Sequence, residues 1–110
     1  MTQRMTIEPV TARQWQLENR EFVLLDCREQ DEFDFVHLPG CVLFPMSEIG
    51  GRLSELNEFQ TQTVVVYCHH GVRSLRVAQW LSGNGFAEVY NLAGGIDRWS
   101  QEVDPQLPRY

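Results

Sequence analysis

Short runs of consecutive apolar residues recur along the chain, separated by segments that mix apolar and polar positions. Two of the runs, residues 22–25 and 64–67, have the length of a strand and show no apolar–polar alternation. Such runs are typical of strands that are covered on both faces, as in a parallel sheet. Shorter candidate strands lie at residues 5–10, 41–44 and 88–92.

Helical patterns fill the intervals between these runs. A capping box of Thr11 and Gln14 would open the first helix, and the third places Ile49, Leu53 and Leu56 on one face. The alternation of strand and helix over one short chain predicts an open α/β sheet with helices on both faces. The predicted helices cover residues 11–18, 29–35, 47–56, 74–82 and 96–103.

The length of 110 residues indicates a single domain over residues 1–110, with a core from about residue 5 to about residue 104 and a short extended C-terminal tail. Hydrophobic residues make up 43% of the chain and charged residues 22%, as in ordinary soluble globular proteins. The longest apolar stretch, residues 64–68, is too short to cross a membrane, and the N-terminus lacks the apolar core of a secretory signal. The sequence therefore predicts a cytoplasmic protein that does not bind membranes.

Charge and cysteine content exclude several functional classes. The net charge of -6 argues against nucleic-acid binding, which requires a broad basic surface. Every basic residue is an arginine, so Schiff-base and P-loop lysine chemistry are excluded. Three scattered cysteines form neither a disulfide framework nor a C-x-x-C pair, and at least one free thiol suits a reducing compartment.

The most informative segment begins where the second long apolar run ends. Cys68 directly follows that run, Gly71 lies in the short loop beyond it, and Arg73 and Ser74 come at the start of the next predicted helix. Ligands of α/β proteins bind at this carboxyl edge of the sheet. A loop that leads into a helix N-terminus directs backbone N–H groups toward one point, which favours an anion and a thiolate. The pattern therefore predicts that Cys68 is a nucleophile.

Charge placement supports a small anionic substrate. Residues 59–87 contain no acidic residue but include His69, His70 and Arg73. Taken alone, Cys68 is more simply a small buried residue and Arg73 a surface residue. The combination of strand, cysteine, glycine-containing loop and arginine favours the nucleophile. A metal at the adjacent histidines is not predicted, because neighbouring residues rarely place both side chains on one ion.

Three segments resemble signatures of one known family. The loop from Cys68 to Ser74, read as C-x-x-G-x-R-S, is similar to the active-site loop of the rhodanese (thiosulfate sulfurtransferase) family. Residues 26–41 resemble its D-x-R-x-x-x-E-[FY]-x-x-G-H-I-P-G-A segment, with Val36 in place of the usual Gly and Cys41 in place of the usual Ala. Residues 92–99 resemble its L-x-G-G-x-x-x-W segment.

The resemblance implies a rhodanese-like open sheet of five parallel strands, with helices on both faces. It implies that Cys68 accepts a sulfane sulfur to become a persulfide, with no cofactor. The partners would be a small anionic sulfur donor and a thiol acceptor such as a small redox protein. The substrate-binding residues would be His69, His70, Gly71, Val72, Arg73 and Ser74, with Asp26, Arg28 and Glu32 as support for the site.

Two other functions remain open on the same scaffold. The first is a cysteine phosphatase or an arsenate reductase, but Cys68 and Arg73 enclose four residues, whereas the loops of cysteine phosphatases enclose five. The second is a non-catalytic module that carries sulfur or binds a partner, which the intact Cys68 and Arg73 argue against. The four-residue loop fits a single sulfur on the thiolate and favours sulfur transfer.

Cys27 follows residues 22–25 just as Cys68 follows residues 64–67. In a parallel sheet both would emerge at the same edge, so Cys27 could resolve a persulfide or form a disulfide with Cys68. A disulfide requires Cα atoms within about 7 Å, and therefore neighbouring strands with side chains on one face. The favoured interpretation is that Cys27 is a small buried hydrophobic residue and that sulfur transfer uses Cys68 alone.

Overall fold

A computed structural model describes residues 5–110. The chain forms a sheet of five parallel strands in the order β1-β5-β4-β2-β3, flanked by helices. The predicted fold class is confirmed. The strands are β1 (Thr6–Ile7), β2 (Val23–Asp26), β3 (Val42–Leu43), β4 (Thr63–Tyr67) and β5 (Glu88–Leu92). The helices are α1 (Pro9–Leu17), α2 (Gln30–Phe35), α3 (Leu53–Leu56), α4 (Val72–Gly83) and α5 (Gly95–Glu102), with 3-10 turns at Ile49–Arg52 and Asn57–Phe59 around α3.

Strand β4 lies at the centre of the sheet and explains the uninterrupted apolar run. Val64 and Val66 face one hydrophobic cluster, whereas Val65 and Tyr67 face the other, and all four are fully buried. The first cluster includes apolar residues of α4, and the second includes Ala12 of α1 and residues of α5. Because helices cover both faces, the run from Val64 to Tyr67 shows no alternation of apolar and polar positions.

Two helices differ from the sequence prediction. Helix α1 begins at Pro9, and its N-cap residue, Glu8, makes no side-chain capping bond, so the predicted capping box at Thr11 is wrong. Proline at the first helical position has a suitable φ and needs no hydrogen-bond acceptor there. The predicted helix over 47–56 is broken, because the segment with Gly50 and Gly51 adopts a 3-10 turn before the single helical turn of α3.

The C-terminal segment returns to the carboxyl edge of the sheet. After α5, residues 104–107 form a turn, and the Tyr110 side chain packs against His69 beside Cys68. The tail is therefore held to the domain by contacts of its last residue. Within residues 5–110, no helix combines the length and apolar character needed to cross a membrane.

Candidate active site

The sulfur of Cys68 lies at the carboxyl end of β4 and is surrounded by hydrogen-bond donors. The backbone N–H groups of Gly71 and Ser74 donate to Sγ at 3.1 and 3.4 Å. The Ser74 hydroxyl lies 3.3 Å from the same sulfur. Only 1% of the Cys68 surface is exposed, so these donors act in an environment that excludes most water. Their arrangement stabilises a negative charge on the sulfur.

Gly71 allows the loop to turn at this point. Its φ of +94° lies in the left-handed region, which glycine adopts without a steric penalty. A Cβ atom here would also lie only 3.1 Å from the Gly94 nitrogen and 3.3 Å from the Leu92 carbonyl oxygen. Both the backbone conformation and the close approach of Gly71 to Leu92 and Gly94 therefore favour glycine. This glycine allows the short loop that the sequence predicts between Cys68 and the next helix.

Helix α5 holds the other side of the loop. The N–H groups of Ile96 and Asp97 donate to the carbonyl oxygens of Cys68 and His69 at 2.9 and 3.1 Å. The backbone of Gly95, with φ of +59°, packs so closely on the loop that a Cβ atom would overlap the Cys68 carbonyl oxygen. The Gly94–Gly95 pair thus serves as the contact between the last helix and the cysteine loop.

Asn91 is a buried residue of β5 that the sequence prediction missed. Its Nδ2 donates to the Gly71 carbonyl at 3.2 Å, which directs Oδ1 toward the Ser74 hydroxyl at 2.5 Å. The Ser74 hydroxyl therefore lies between Oδ1 and the Cys68 sulfur, and its single hydrogen can serve one of them at a time. A polar residue in a buried strand was the signal that could have identified this position.

Arg73 is bound to Glu32 of α2. Nη1 and Nη2 lie 2.7 and 2.9 Å from the two carboxylate oxygens. This two-point contact with Arg73 is the main reason that the pKa of Glu32 is lowered to about 2. The structure thus places Glu32, predicted as support, directly on the arginine predicted to bind substrate.

Tyr110 connects several of these residues and was also missed. Its hydroxyl accepts from Arg28 Nη1 at 2.8 Å and donates to Glu32 Oε2 at 2.8 Å. Its ring stacks on His69 with the ring centroids 3.8 Å apart. Burial, together with the Glu32 carboxylate, raises the pKa of Tyr110 to about 12, despite the opposing effect of Arg28. The tyrosine is therefore neutral and joins the tail to the loop.

Asp26 and Arg28 form a fully buried ion pair behind the site. Arg28 Nη2 lies 2.7 Å from Asp26 Oδ2, and the Tyr67 hydroxyl donates to the same oxygen at 2.7 Å. Arg28 also donates to the Val36 carbonyl oxygen at 2.6 Å. The pair joins the end of β2 to the chain beyond α2, and neither residue bonds to the Cys68 sulfur. Their role as support for the site stays a prediction.

The two histidines lie at the rim of the loop. Their rings stack at 3.8 Å, and burial, assisted by the charge of His70, lowers the pKa of His69. In the described part of the chain, the one group of three side chains close enough to share a metal is His69, His70 and Asp97, with ligand atoms within 4.8 Å of one another. Arg109 Nη2 lies 3.0 Å from Asp97 and places a positive charge beside this group of side chains.

Val72, which the resemblance gave as a substrate-binding residue, is 69% exposed and faces solvent at the start of α4.

The remaining two cysteines lie on opposite faces of the sheet. Cys27 is fully buried in the hydrophobic cluster that contains Cys68, whereas Cys41 packs against the other cluster. The Tyr67 hydroxyl lies 3.4 Å from the Cys41 sulfur. Burial raises the pKa of both thiols. At Cys68, in contrast, the backbone N–H groups of two residues further along the chain, Gly71 and Ser74, donate to the sulfur.

The fold and the site together define a class of α/β protein with a cysteine in a loop of converging hydrogen-bond donors after the central parallel strand. The family follows from the sequence: the rhodanese-like domain model matches residues 10–102, and this chain belongs to the rhodanese-like domain family.

Relatives and solved structures agree with this assignment. The chain is 40% identical over 94 residues to the rhodanese-like/PpiC domain-containing protein 12, chloroplastic, of Arabidopsis thaliana, covering 82% of this chain but 31% of that protein. It is 38% identical over 88 residues to the thiosulfate sulfurtransferase GlpE of Coxiella burnetii, covering 77% of this chain and 78% of the relative. A crystal structure of a rhodanese-like domain protein from Staphylococcus aureus superposes with a TM-score of 0.80 at 27% identity, covering 96% of this chain and 97% of the other. The chain thus spans under a third of the first relative and most of the second.

Proposed function

We propose that the protein is a sulfurtransferase that moves a sulfane sulfur from thiosulfate or another persulfide donor to a thiol or cyanide. The observation that carries the proposal is the convergence of the Gly71 and Ser74 N–H groups and the Ser74 hydroxyl on the Cys68 sulfur. The similarity to a protein named thiosulfate sulfurtransferase supports the same chemistry. Three free cysteines fit a reducing compartment, and a cytoplasmic location is part of the proposal.

The reaction proceeds in two displacement steps. The Cys68 thiolate attacks the outer sulfur of thiosulfate, a new S–S bond forms, and sulfite leaves with the electron pair of the broken S–S bond. The same donors that surround Sγ then hold the negative persulfide. An acceptor thiolate, on a small molecule or a small redox protein, attacks the outer sulfur and releases the Cys68 thiolate. No cofactor enters this sequence of steps.

Arg73 supplies the positive charge for the anionic donor. Its guanidinium is already oriented by both oxygens of Glu32, and 35% of the side chain is exposed at the rim of the loop. An anion that approaches this rim meets a planar set of N–H donors that suits the oxygens of a sulfonate group. Glu32 thereby acts as a positioning residue for Arg73.

A phosphatase is the second candidate on the same scaffold. It would use the same cysteine and arginine, but the four-residue spacing between them argues against it. Activity toward a small aryl phosphate should therefore be negligible beside sulfur transfer to cyanide. The reverse ranking of the two activities would assign the protein to the phosphatase class.

The decisive test is the intact mass of the reduced protein after incubation with thiosulfate. The protein should gain one sulfur, about 32 Da, and cyanide should remove it. Peptide mapping should place the sulfur on Cys68, and Cys68→Ala should abolish the gain. Cys41→Ala is the matched control and should load fully. Sulfur found only on Cys27 or Cys41 would refute the assignment of the nucleophile.

A further inference from the structure

Cys27 and Cys68 lie side by side at the carboxyl edge of the sheet. Strands β2 and β4 are neighbours, Asp26 is paired with Tyr67, and each cysteine is the next residue along its strand. The Cys27 N–H donates to the Tyr67 carbonyl oxygen at 3.1 Å, so the ladder continues to this position. Neighbouring strands lie about 4.8 Å apart. That separation falls within the range of about 4.4 to 6.8 Å between Cα atoms that a disulfide requires.

The two side chains also share a face. Leu25 and Val66 are paired across the same strands, and both belong to the hydrophobic cluster that contains the two cysteines. Because side chains alternate along a strand, Cys27 follows Leu25 and Cys68 follows Val66 on that face. Cys27 is fully buried, and Cys68 has 1% exposure. Both conditions that a bond between these sulfurs requires, neighbouring strands and a common face, are met.

Their charges influence each other. Burial is the main reason that the pKa of Cys27 is raised, and a negative Cys68 raises it further. Cys27 is therefore held as a thiol. When Cys68 becomes a neutral sulfenic acid, its contribution to the raised pKa of Cys27 disappears, whereas burial still favours the thiol. Oxidation of Cys68 therefore removes one of the effects that hold Cys27 as a thiol.

We propose that Cys27 is a resolving thiol that forms a reversible disulfide with Cys68 when a hydroperoxide oxidises the site. In the first step the Cys68 thiolate attacks the peroxide, an S–O bond forms, the O–O bond breaks, and the leaving oxygen takes up a proton. In the second step the Cys27 sulfur attacks the Cys68 sulfur, an S–S bond forms, and the hydroxyl leaves as water with the Cys27 proton. Two thiols are oxidised and one hydroperoxide is reduced.

This role goes beyond sulfur transfer, because Cys27 takes no part in the transfer steps. The disulfide prevents oxidation of Cys68 to sulfinic and sulfonic acids, which thiols do not reverse. Cys41 cannot substitute for Cys27, because it lies beside Tyr67 and packs with the cluster on the opposite face of the sheet. Cys41 therefore offers a matched control within the same chain.

The test is the intact mass of the reduced protein after treatment with hydrogen peroxide, in the absence of any sulfur donor. The parent and Cys41→Ala should each lose about 2 Da, yield a linked Cys27–Cys68 peptide, and return to the original mass with dithiothreitol. Cys27→Ala and Cys27→Ser should instead gain about 32 or 48 Da at Cys68 and not recover. Both Cys27 variants should transfer sulfur within about twofold of the parent before oxidation, which also shows that they fold.

Three results would overturn the proposal: over-oxidation of the parent as fast as of Cys27→Ala, a disulfide that contains Cys41, or a covalent dimer in place of the internal bond. The outcome is separable from the proposed function. A protein that forms the disulfide but takes no sulfur from thiosulfate would refute only sulfur transfer. One that takes sulfur yet forms no internal disulfide would refute only the resolving role.

Discussion

Both terminal nitrogens of Arg73 contact the carboxylate of Glu32, a residue 41 positions earlier in the chain. The geometry is that of a planar guanidinium on a planar carboxylate, which fixes the direction of the arginine as well as its charge. Arg73 reaches the rim of the cysteine loop already oriented. Binding of the proposed anionic donor by Arg73 should therefore depend on the planar shape of the guanidinium.

Replacing Arg73 with Lys tests this dependence. A single ammonium cannot contact both oxygens of Glu32 or of a donor anion, so kcat/KM for thiosulfate should fall by about tenfold or more. Most of the loss should appear as a higher KM. Arg76→Lys, an exposed position on the same helix, is the control and should leave the kinetics unchanged. Unchanged donor kinetics in Arg73→Lys would mean that Arg73 does not contact the donor.

Asn91 should affect the reaction through Ser74. Asn91→Ala removes the acceptor that holds the Ser74 hydroxyl near the sulfur, and kcat should fall by about tenfold with a smaller change in KM. If Asn91 acts by this route, the double variant with Ser74→Ala should be little slower than Ser74→Ala alone. Full additivity of the two losses in kcat would contradict the coupling.

The contact of Gly95 with the loop predicts a large effect of one methyl group. In Gly95→Ala, the new Cβ would overlap the backbone of Cys68 and His69 at a φ of +59°. The free energy of unfolding should fall by more than about 1 kcal/mol, and thiosulfate loading should fall with it. Gly83→Ala is the control, because no atom lies within 4 Å of its Cβ position in α4. That variant should be neutral or up to about 1 kcal/mol more stable in urea unfolding.

The Glu32–Arg73 pair predicts a contribution to stability that disappears in acid. The pKa of Glu32 is lowered by Arg73 from its ordinary value of 4.5 to about 2, so the folded state favours the charged carboxylate. The resulting stabilisation is present above about pH 5 and is lost as pH falls toward 2. The difference in unfolding free energy between the parent and Glu32→Gln should therefore shrink between pH 7 and pH 3.

Urea unfolding at the two pH values measures this difference. Glu55→Gln provides the comparison, since it removes a partner of Arg52 from a solvent-exposed pair. Such pairs contribute little in water, and the variant should resemble the parent at both pH values. A difference for Glu32→Gln that stays constant with pH would show that the Arg73 contact does not stabilise the folded protein.

Local sequence determined most of the elements and the position of the candidate nucleophile. The run from Val64 to Tyr67 predicted a buried strand, and Gly71 after Cys68 predicted a short loop into a helix, as the structure has them. These features depend on side-chain periodicity and on backbone preferences of a few adjacent residues. Two local predictions were wrong. The first helix begins at Pro9 and has no capping box at Thr11, and the helix predicted over 47–56 is interrupted by a 3-10 turn at Gly50 and Gly51.

Only the tertiary structure decided which distant residues meet at the cysteine. The order β5-β4-β2 places Asn91 on one side of Cys68 and Cys27 on the other, and the path of the tail places Tyr110 on His69. No local pattern records these contacts, because strand order follows from how the helices cover both faces of the whole sheet. The sequence by itself therefore identified the candidate nucleophile and its loop, and packing selected the residues that hold Ser74, orient Arg73 and lie beside the sulfur.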